Sequence, residues 1–279
     1  MSPSGVSWPQ SRADLLERPL SAVLTTHLGS GRLQSSVVWF WQEEGSLLLS
    51  TMTEFVKARN MTARPRATLT VVAPGGDRRW VEVRADVSPT GRDHLAALEA
   101  VSLRYTGLVP YFGAVVPAVL AETEHPITFR LVPHTVVTGT TSLEGPPTGV
   151  RERPLPHPAA APSVPLPPSH HDLFDRALPA VLSTLLPDGY AMSSPVRCVR
   201  DGDELVIGST AGRPEARNLR ADPRATVLVI DPANSGRWIE VRGDVTLTGG
   251  QGPAERVDPE TPVVATIRPV RVVCDAIHP

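Results

Sequence analysis

Apolar and polar positions alternate in short runs along most of this chain, and each run ends in turn chemistry. "SAVLTTHL" (21–28) and "PAVLSTLL" (179–186) are β-rich and close on Gly29-Ser30-Gly31 and Pro187-Asp188-Gly189. "QSSVVWFWQEEGSLLLST" (34–51) predicts a hairpin about Glu43-Glu44-Gly45, matched by "RCVRDGDELVIGST" (197–210) about Asp201-Gly202-Asp203. "ATLTVVAP" (67–74) and "ATVLVIDP" (225–232) are apolar strands ended by proline. "RWVEVRADVS" (79–88) and "RWIEVRGDVT" (237–246) set Trp, Glu and Arg against Val or Ile at period two, the pattern of a half-buried strand. "ITFRLVPHTVV" (127–137) and "VVATIRPVRVV" (263–273) supply a closing strand. The clearest helix of each set begins near Thr53 or at Arg213-Pro214 and stops before Pro65 or Pro223. Six or so antiparallel strands with one short helix predict a mostly β fold, a small β-barrel that closes to remove its edges.

The elements come twice because the chain is duplicated. Laying Ala58 on Ala216 (216 − 58 = 158) and holding that offset from Ala22 to Val87 gives 27 identities in 66 positions without a gap. "EFVKARNMTARPRAT" (54–68) falls on "GRPEARNLRADPRAT" (212–226), with Lys57 in the first copy where the second has Glu215. After the Trp-x-Glu strand the copies diverge. Residues 91–126 of the first include "HLAALEAVSLRY", helical by the spacing of Leu95, Leu98, Val101 and Leu103 or Tyr105, whereas the second has only "GGQGPAERVDPETP". Aligning Pro133 with Pro269 lowers the offset to 136, so the second copy is 158 − 136 = 22 residues shorter here. The expected organisation is a first domain at 12–141 with a helical insertion near 91–126, a linker at 142–169, and a shorter second domain at 170–279. The Pro- and Ala-rich linker reads as an extended tether that keeps the two domains at high effective concentration.

Composition narrows the classes. At 279 residues, 41% hydrophobic, 20% charged and a net charge of −2, a folded protein with no general attraction to nucleic acid or an anionic membrane is expected. No apolar run approaches the roughly 20 residues of a membrane helix, and residues 1–20 lack a signal-peptide core, which points to the cytoplasm. Cys198 and Cys274 make no disulfide framework and read as ordinary thiols. His170-His171, with no third ligand spaced nearby, reads as a solvated pair, and no metal is expected.

The strongest chemical constellation is Ser50-Thr51 followed by Lys57, Arg59 and Asn60. Two hydroxyls at a strand end, backbone N–H groups at a helix start and two cations suit an anion, above all a phosphate. The competing reading is a solvated basic helix. No Ser–His–Asp or Cys–His arrangement, metal-ligand spacing or Walker-type loop is present. Tyr105, Tyr111 and His27 are conceivable proton donors, among which spacing does not choose, so the catalytic acid is left unassigned.

The run "LLLST…KARNMTARPRAT", with "AVLTT" before it and "RWVEVR" after it, resembles the split β-barrel superfamily of pyridoxamine-phosphate oxidase and of FMN- and deazaflavin-dependent oxidoreductases. It is most similar to the actinobacterial branch that uses the deazaflavin coenzyme F420. The likeness covers about 20–138 and 172–277. It implies two tandem split β-barrel domains forming an intramolecular pseudo-dimer in place of the family's homodimer, with the cofactor ring between the barrels. Carried over, Lys57 and Arg59 would bind the cofactor phosphate with help from Ser50 or Thr51. Ser36 would lie beside the ring or its ribityl chain, and Trp80 and Trp238 would shape the pocket. Asn60 and Asn218 read as caps or braces of the local backbone. Glu215 disfavours phosphate in the second copy, where Arg217 remains and Arg213 is a substitute cation.

The resulting expectation is an oxidoreductase moving a hydride between coenzyme F420 and a small unsaturated organic substrate at one competent site. The alternatives are the same architecture with FMN, or a non-catalytic flavin or deazaflavin carrier.

Overall fold

The computed structural model describes residues 6, 8–141, 143, 163–250 and 257–275, and most of the proposed tether (142 and 144–162) lies outside them. The fold is mostly β. The chain divides into two compact units, the first within Met1–Thr140 and the second within Thr141–Ile277. Each is described by itself.

The first unit runs α1 (Ala13–Glu17), β1 (Ala22–His27), β2 (Leu33–Val38), β3 (Trp41–Glu43), β4 (Ser46–Met52), α2 (Val56–Ala63), β5 (Arg66–Val72), β6 (Arg79–Pro89), α3 (His94–Thr106) and β7 (Pro126–Thr140). Its strands form one antiparallel sheet in the order β2-β1-β5-β6-β7-β4-β3. The second runs α4 (His171–Asp175), β8 (Pro179–Leu185), β9 (Ala191–Asp201), β10 (Glu204–Thr210), α5 (Pro214–Ala221), β11 (Arg224–Asp231), β12 (Asn234–Thr248) and β13 (Pro262–Cys274). Its six strands close into a barrel, β10-β13-β12-β11-β8-β9.

The two sheets have one topology, and a single break separates them. In the second unit β9 is continuous, its first part paired with β8 and Cys198–Asp201 paired with β10. The equivalent stretch of the first unit is interrupted at Trp39-Phe40, giving β2 and β3 as separate edges. The insertion explains the interruption. Tyr105 of α3 accepts the Phe40 N–H at 3.2 Å, and its hydroxyl lies 2.9 Å from Phe40 O and 3.1 Å from Leu20 O. Its ring stacks on Trp39 at 5.2 Å. The phenol thus meets the backbone groups that a neighbouring strand serves in the other copy.

Strand alternation builds each core. Leu24, Leu47, Leu49, Leu69, Val81, Val83, Phe129 and Leu131 face one interior in the first unit. Leu182, Leu205, Ile207, Val227, Ile239, Val241 and Ile267 do so in the second. Burying such side chains contributes about 1.5–3 kcal/mol each.

The helices α2 and α5 lack a side-chain N-cap and are short, so packing rather than propensity holds them. Asn60 donates to Thr26 Oγ1 and Gln34 Oε1, both at 3.0 Å, and Asn218 donates to Thr184 Oγ1 at 3.0 Å. The asparagines therefore brace helix to strand, through side chains. Helix α3 is capped by Asp93, which accepts Ala96 N–H at 3.0 Å, and ends at Gly107 (φ 74°), a left-handed position that suits glycine. Its buried face is Ala97, Leu98, Val101 and Ser102, whereas Leu95 and Leu103 point outward, so the expected apolar stripe is only half used.

The short helices α1 and α4 carry no strong sequence signal. They sit at the same 158 offset, and each is pinned by an arginine–aspartate pair at matching positions. Arg79 holds Asp14 bidentately at 3.0 and 2.8 Å, as Arg237 holds Asp172. Within the stretch assigned to the tether, Leu166 is buried in the second core and Val164 N–H bonds Pro269 O at 3.0 Å.

Candidate functional site

The expected site residues of the first unit are distributed by strand parity. Thr51 pairs with Ile127, which packs against the core beside Phe129, so Thr51 faces the interior. Ser36 pairs with Leu24 and also faces the interior. Ser50 faces the opposite side, where its hydroxyl meets Thr128 Oγ1 at 2.9 Å. Thr51 and Ser36 thus share a face from which Ser50 is excluded. Both are buried with hydroxyl oxygens that have no hydrogen-bond partner among the described residues. The orphan at Ser36 recurs at its equivalent, Ser194, and so belongs to the fold rather than to one copy.

Lys57, in the first turn of α2, is half-buried. Its ammonium lies 4.9 Å from the centre of the Phe55 ring and makes no ion pair or hydrogen bond among the described residues. Burial without a counter-charge pulls its pKa from the ordinary 10.5 down to about 8. Glu54, the one carboxylate between Thr53 and Arg64, is committed elsewhere. It accepts the His125 N–H at 3.0 Å, with the His125 ring and Thr53 Oγ1 each at 2.7 Å. Although burial works against its charge, those bonds hold its pKa down at about 2. Arg59 is exposed and folds back onto Glu54 O.

The second copy resolves the same positions differently. Ser209 stands where Thr51 does and Glu215 where Lys57 does, and Ser209 Oγ donates to Glu215 Oε1 at 2.9 Å. Glu215 is buried, at 8% exposure. The second unit therefore supplies its own anion to this hydroxyl, while the first leaves both a hydroxyl and a cation open.

The tryptophans stand elsewhere. Trp80 pairs with Gly139 and Thr51 with Ile127, so they are 139 − 127 = 12 positions apart along β7. A Cβ on Gly139 would lie 2.4 Å from the Trp80 ring, which shows how closely the indole covers that glycine. Trp238 is buried in the second unit, its backbone N–H donating to Asp275 Oδ1 at 2.9 Å.

Of the conceivable proton donors, Tyr105 is spent on Phe40 and Leu20. Tyr111 is buried, with a pKa pushed up to about 12 by desolvation and then by Glu124. Buried His27 has its pKa lowered by desolvation and by Arg66 and Arg64. An open groove of about 490 Å³ lined by Leu16, Glu17, Gln42, Glu43, Glu44 and Arg104 includes none of these groups.

Sequence reasoning misread one site. His170 is not solvated: it is 3% exposed, with Nε2 3.0 Å from Asp275 and Nδ1 2.9 Å from Ser169 Oγ. Asp275 lies 105 residues away, beyond any spacing rule. Both cysteines are free thiols. Among the described residues no helix is long and apolar enough to cross a membrane.

The model of the family described as pyridoxamine 5'-phosphate oxidase matches residues 166–268. Similar solved structures include an F420 reductase, 27% identical, covering 47% of this chain and 98% of its own, with a TM-score of 0.41. A heme storage protein from Vibrio cholerae is 18% identical over 47% of this chain and 92% of its own, TM-score 0.35. A FAD-binding protein from Mesorhizobium loti is 16% identical over 47% and 94%, TM-score 0.35. No curated protein matches the sequence. The second unit is thus similar to the pyridoxamine-phosphate-oxidase family of split barrels, and the first repeats its strand order with one strand interrupted.

Proposed function

We propose that the chain is an oxidoreductase that binds coenzyme F420 through the start of α2 and moves a hydride between it and a small unsaturated organic substrate, at one competent site per chain. The observation that carries this reading is the contrast between the copies. Thr51 and Lys57 hold a hydroxyl and a desolvated cation, both unpartnered among the described residues, where Ser209 and Glu215 are bonded to each other. A buried cation without a counter-ion is costly unless an anion completes it.

These residues fit a phosphate-bearing cofactor. Lys57 supplies the charge, Thr51 a hydroxyl, and Arg59 a second cation once it leaves Glu54 O; Ser36 offers a hydroxyl on the same interior face as Thr51. Bound there, the deazaflavin would supply the hydride, and the protein's part is to hold it, orient a substrate and exclude water. The duplication and the family resemblance support a further element, that the two units replace the subunits of a homodimer.

Titration of the purified protein with coenzyme F420 and with FMN, followed by absorption and fluorescence, tests the reading. Saturable binding of F420 is expected, abolished by Lys57→Glu and unchanged by Glu215→Ala. Preference for FMN replaces the cofactor but keeps the cradle, and binding of neither refutes both. Turnover of enones or quinones by the loaded protein is expected; binding without turnover of any such substrate makes it a carrier.

A further inference from the structure

The geometry points to a transition-metal site in the second unit, formed by His170 Nε2, Cys274 Sγ and an Asp275 carboxylate oxygen, which clips the two ends of that unit together. The three ligand atoms lie within 4.8 Å of one another. They come from the turn that opens α4 and from the end of β13, about a hundred residues apart. One nitrogen, one sulfur and one carboxylate oxygen, with a fourth position left for water, suit Zn²⁺ or Co²⁺.

The surroundings orient each ligand. Ser169 Oγ lies 2.9 Å from His170 Nδ1, which turns Nε2 toward Asp275, as an outer partner does for a metal-bound imidazole. Asp275 sits in the left-handed region at φ 50°, uncommon for a residue with a side chain. It is held there by its N–H to Trp238 O at 3.1 Å and by Trp238 N–H to Oδ1 at 2.9 Å. Arg237 nearby is already met by Asp172 and Asp231.

The first unit shows what the same place looks like without ligands. Subtracting the repeat offsets (170 − 158, 274 − 136, 275 − 136) puts Arg12, Thr138 and Gly139 at the three positions. There Arg12 reaches Gly139 O at 3.3 Å, and that hydrogen bond ties the ends of the unit. The second copy makes the same tie through His170 and Asp275, with the Cys274 sulfur beside them, and all three are metal-ligating types. On binding, the Cys274 thiol gives its proton to solvent as the sulfur–metal bond forms, and the metal replaces the His170–Asp275 hydrogen bond. Fixing two ends so far apart in sequence restricts the unfolded chain most.

Co²⁺ titration of the full chain tests the site, because Cys198 is fully buried and a thiolate-to-cobalt charge-transfer band can come only from Cys274. One equivalent is expected to give that band, with the visible bands of a four-coordinate ion, and Zn²⁺ should displace it. Cys274→Ser should abolish the band, Cys198→Ser should keep it, and His170→Gln or Asp275→Asn should weaken binding at least about tenfold. Zn²⁺ should raise the Tm of the wild type and not of Cys274→Ser, a variant of nearly unchanged shape. Co²⁺ binding without the band, or equal binding by Cys274→Ser, would show an adventitious ion and leave the triad a hydrogen-bonded latch.

Discussion

Replacing Lys57 by Met should make the cofactor-free protein more stable and unable to bind its anion. The ammonium loses its proton at about 8 in the folded protein and at 10.5 in the unfolded chain, a difference of 2.5. At about 1.36 kcal/mol per pKa unit, charge on Lys57 costs the fold at most roughly 3 kcal/mol near neutral pH. Partial exposure of the side chain reduces this to about 1–2 kcal/mol. Methionine keeps the apolar stem over Phe55 and removes the charge. For a unit of this size the gain corresponds to a rise in Tm of about 3–10 °C. The pH dependence has a definite sign. Between about 8 and 10.5 the unfolded state binds more protons than the folded one, so wild-type stability rises across that window while Lys57→Met does not follow it. Thermal unfolding of both proteins from pH 7 to 10.5, with and without inorganic phosphate, is the assay. A Met variant that is less stable than wild type at pH 7, or two parallel pH profiles, would show that Lys57 is an ordinary solvated helix residue.

Glu215→Lys should uncouple Ser209 and give the second unit an open hydroxyl and cation like the first, seen as a weaker second phase in cofactor titration. Tyr105→Phe leaves the Phe40 N–H and C=O without their partner, costs about 1–3 kcal/mol, and should speed hydrogen exchange at Phe40 before the rest of the first sheet. Asp93→Ala removes the α3 cap and should lower stability by about 1 kcal/mol in chemical denaturation.

The repeat, the strands and the α2 and α5 helices were legible because period-two alternation and proline stops are local signals. The break at Trp39-Phe40 was not, since it depends on a phenol from the insertion reaching the backbone of another segment. Helices α1 and α4 escaped notice because five residues are too few for periodicity to show; their anchors, Arg79 and Arg237, were read only as strand residues. At the site, the Lys57-to-Glu215 exchange was visible in the sequence and read as disfavouring phosphate in the second copy, but the bond that Glu215 makes was not. Only the structure shows Ser209 bonded to Glu215 and Thr51 left open. Ser50 and Thr51 are adjacent and looked interchangeable, yet strand alternation puts them on opposite faces. His170 was misread for the opposite reason: its chemistry lies across the fold rather than along the chain.

The central claim is that one copy holds an anion-bearing cofactor and the other has closed itself. Counting cofactor molecules per chain at saturation, by equilibrium dialysis of wild type, Lys57→Glu and Glu215→Ala with coenzyme F420, tests it most directly. The account predicts one for the wild type, none for Lys57→Glu and one for Glu215→Ala. Two equivalent molecules on the wild type, or one retained by Lys57→Glu, would contradict it.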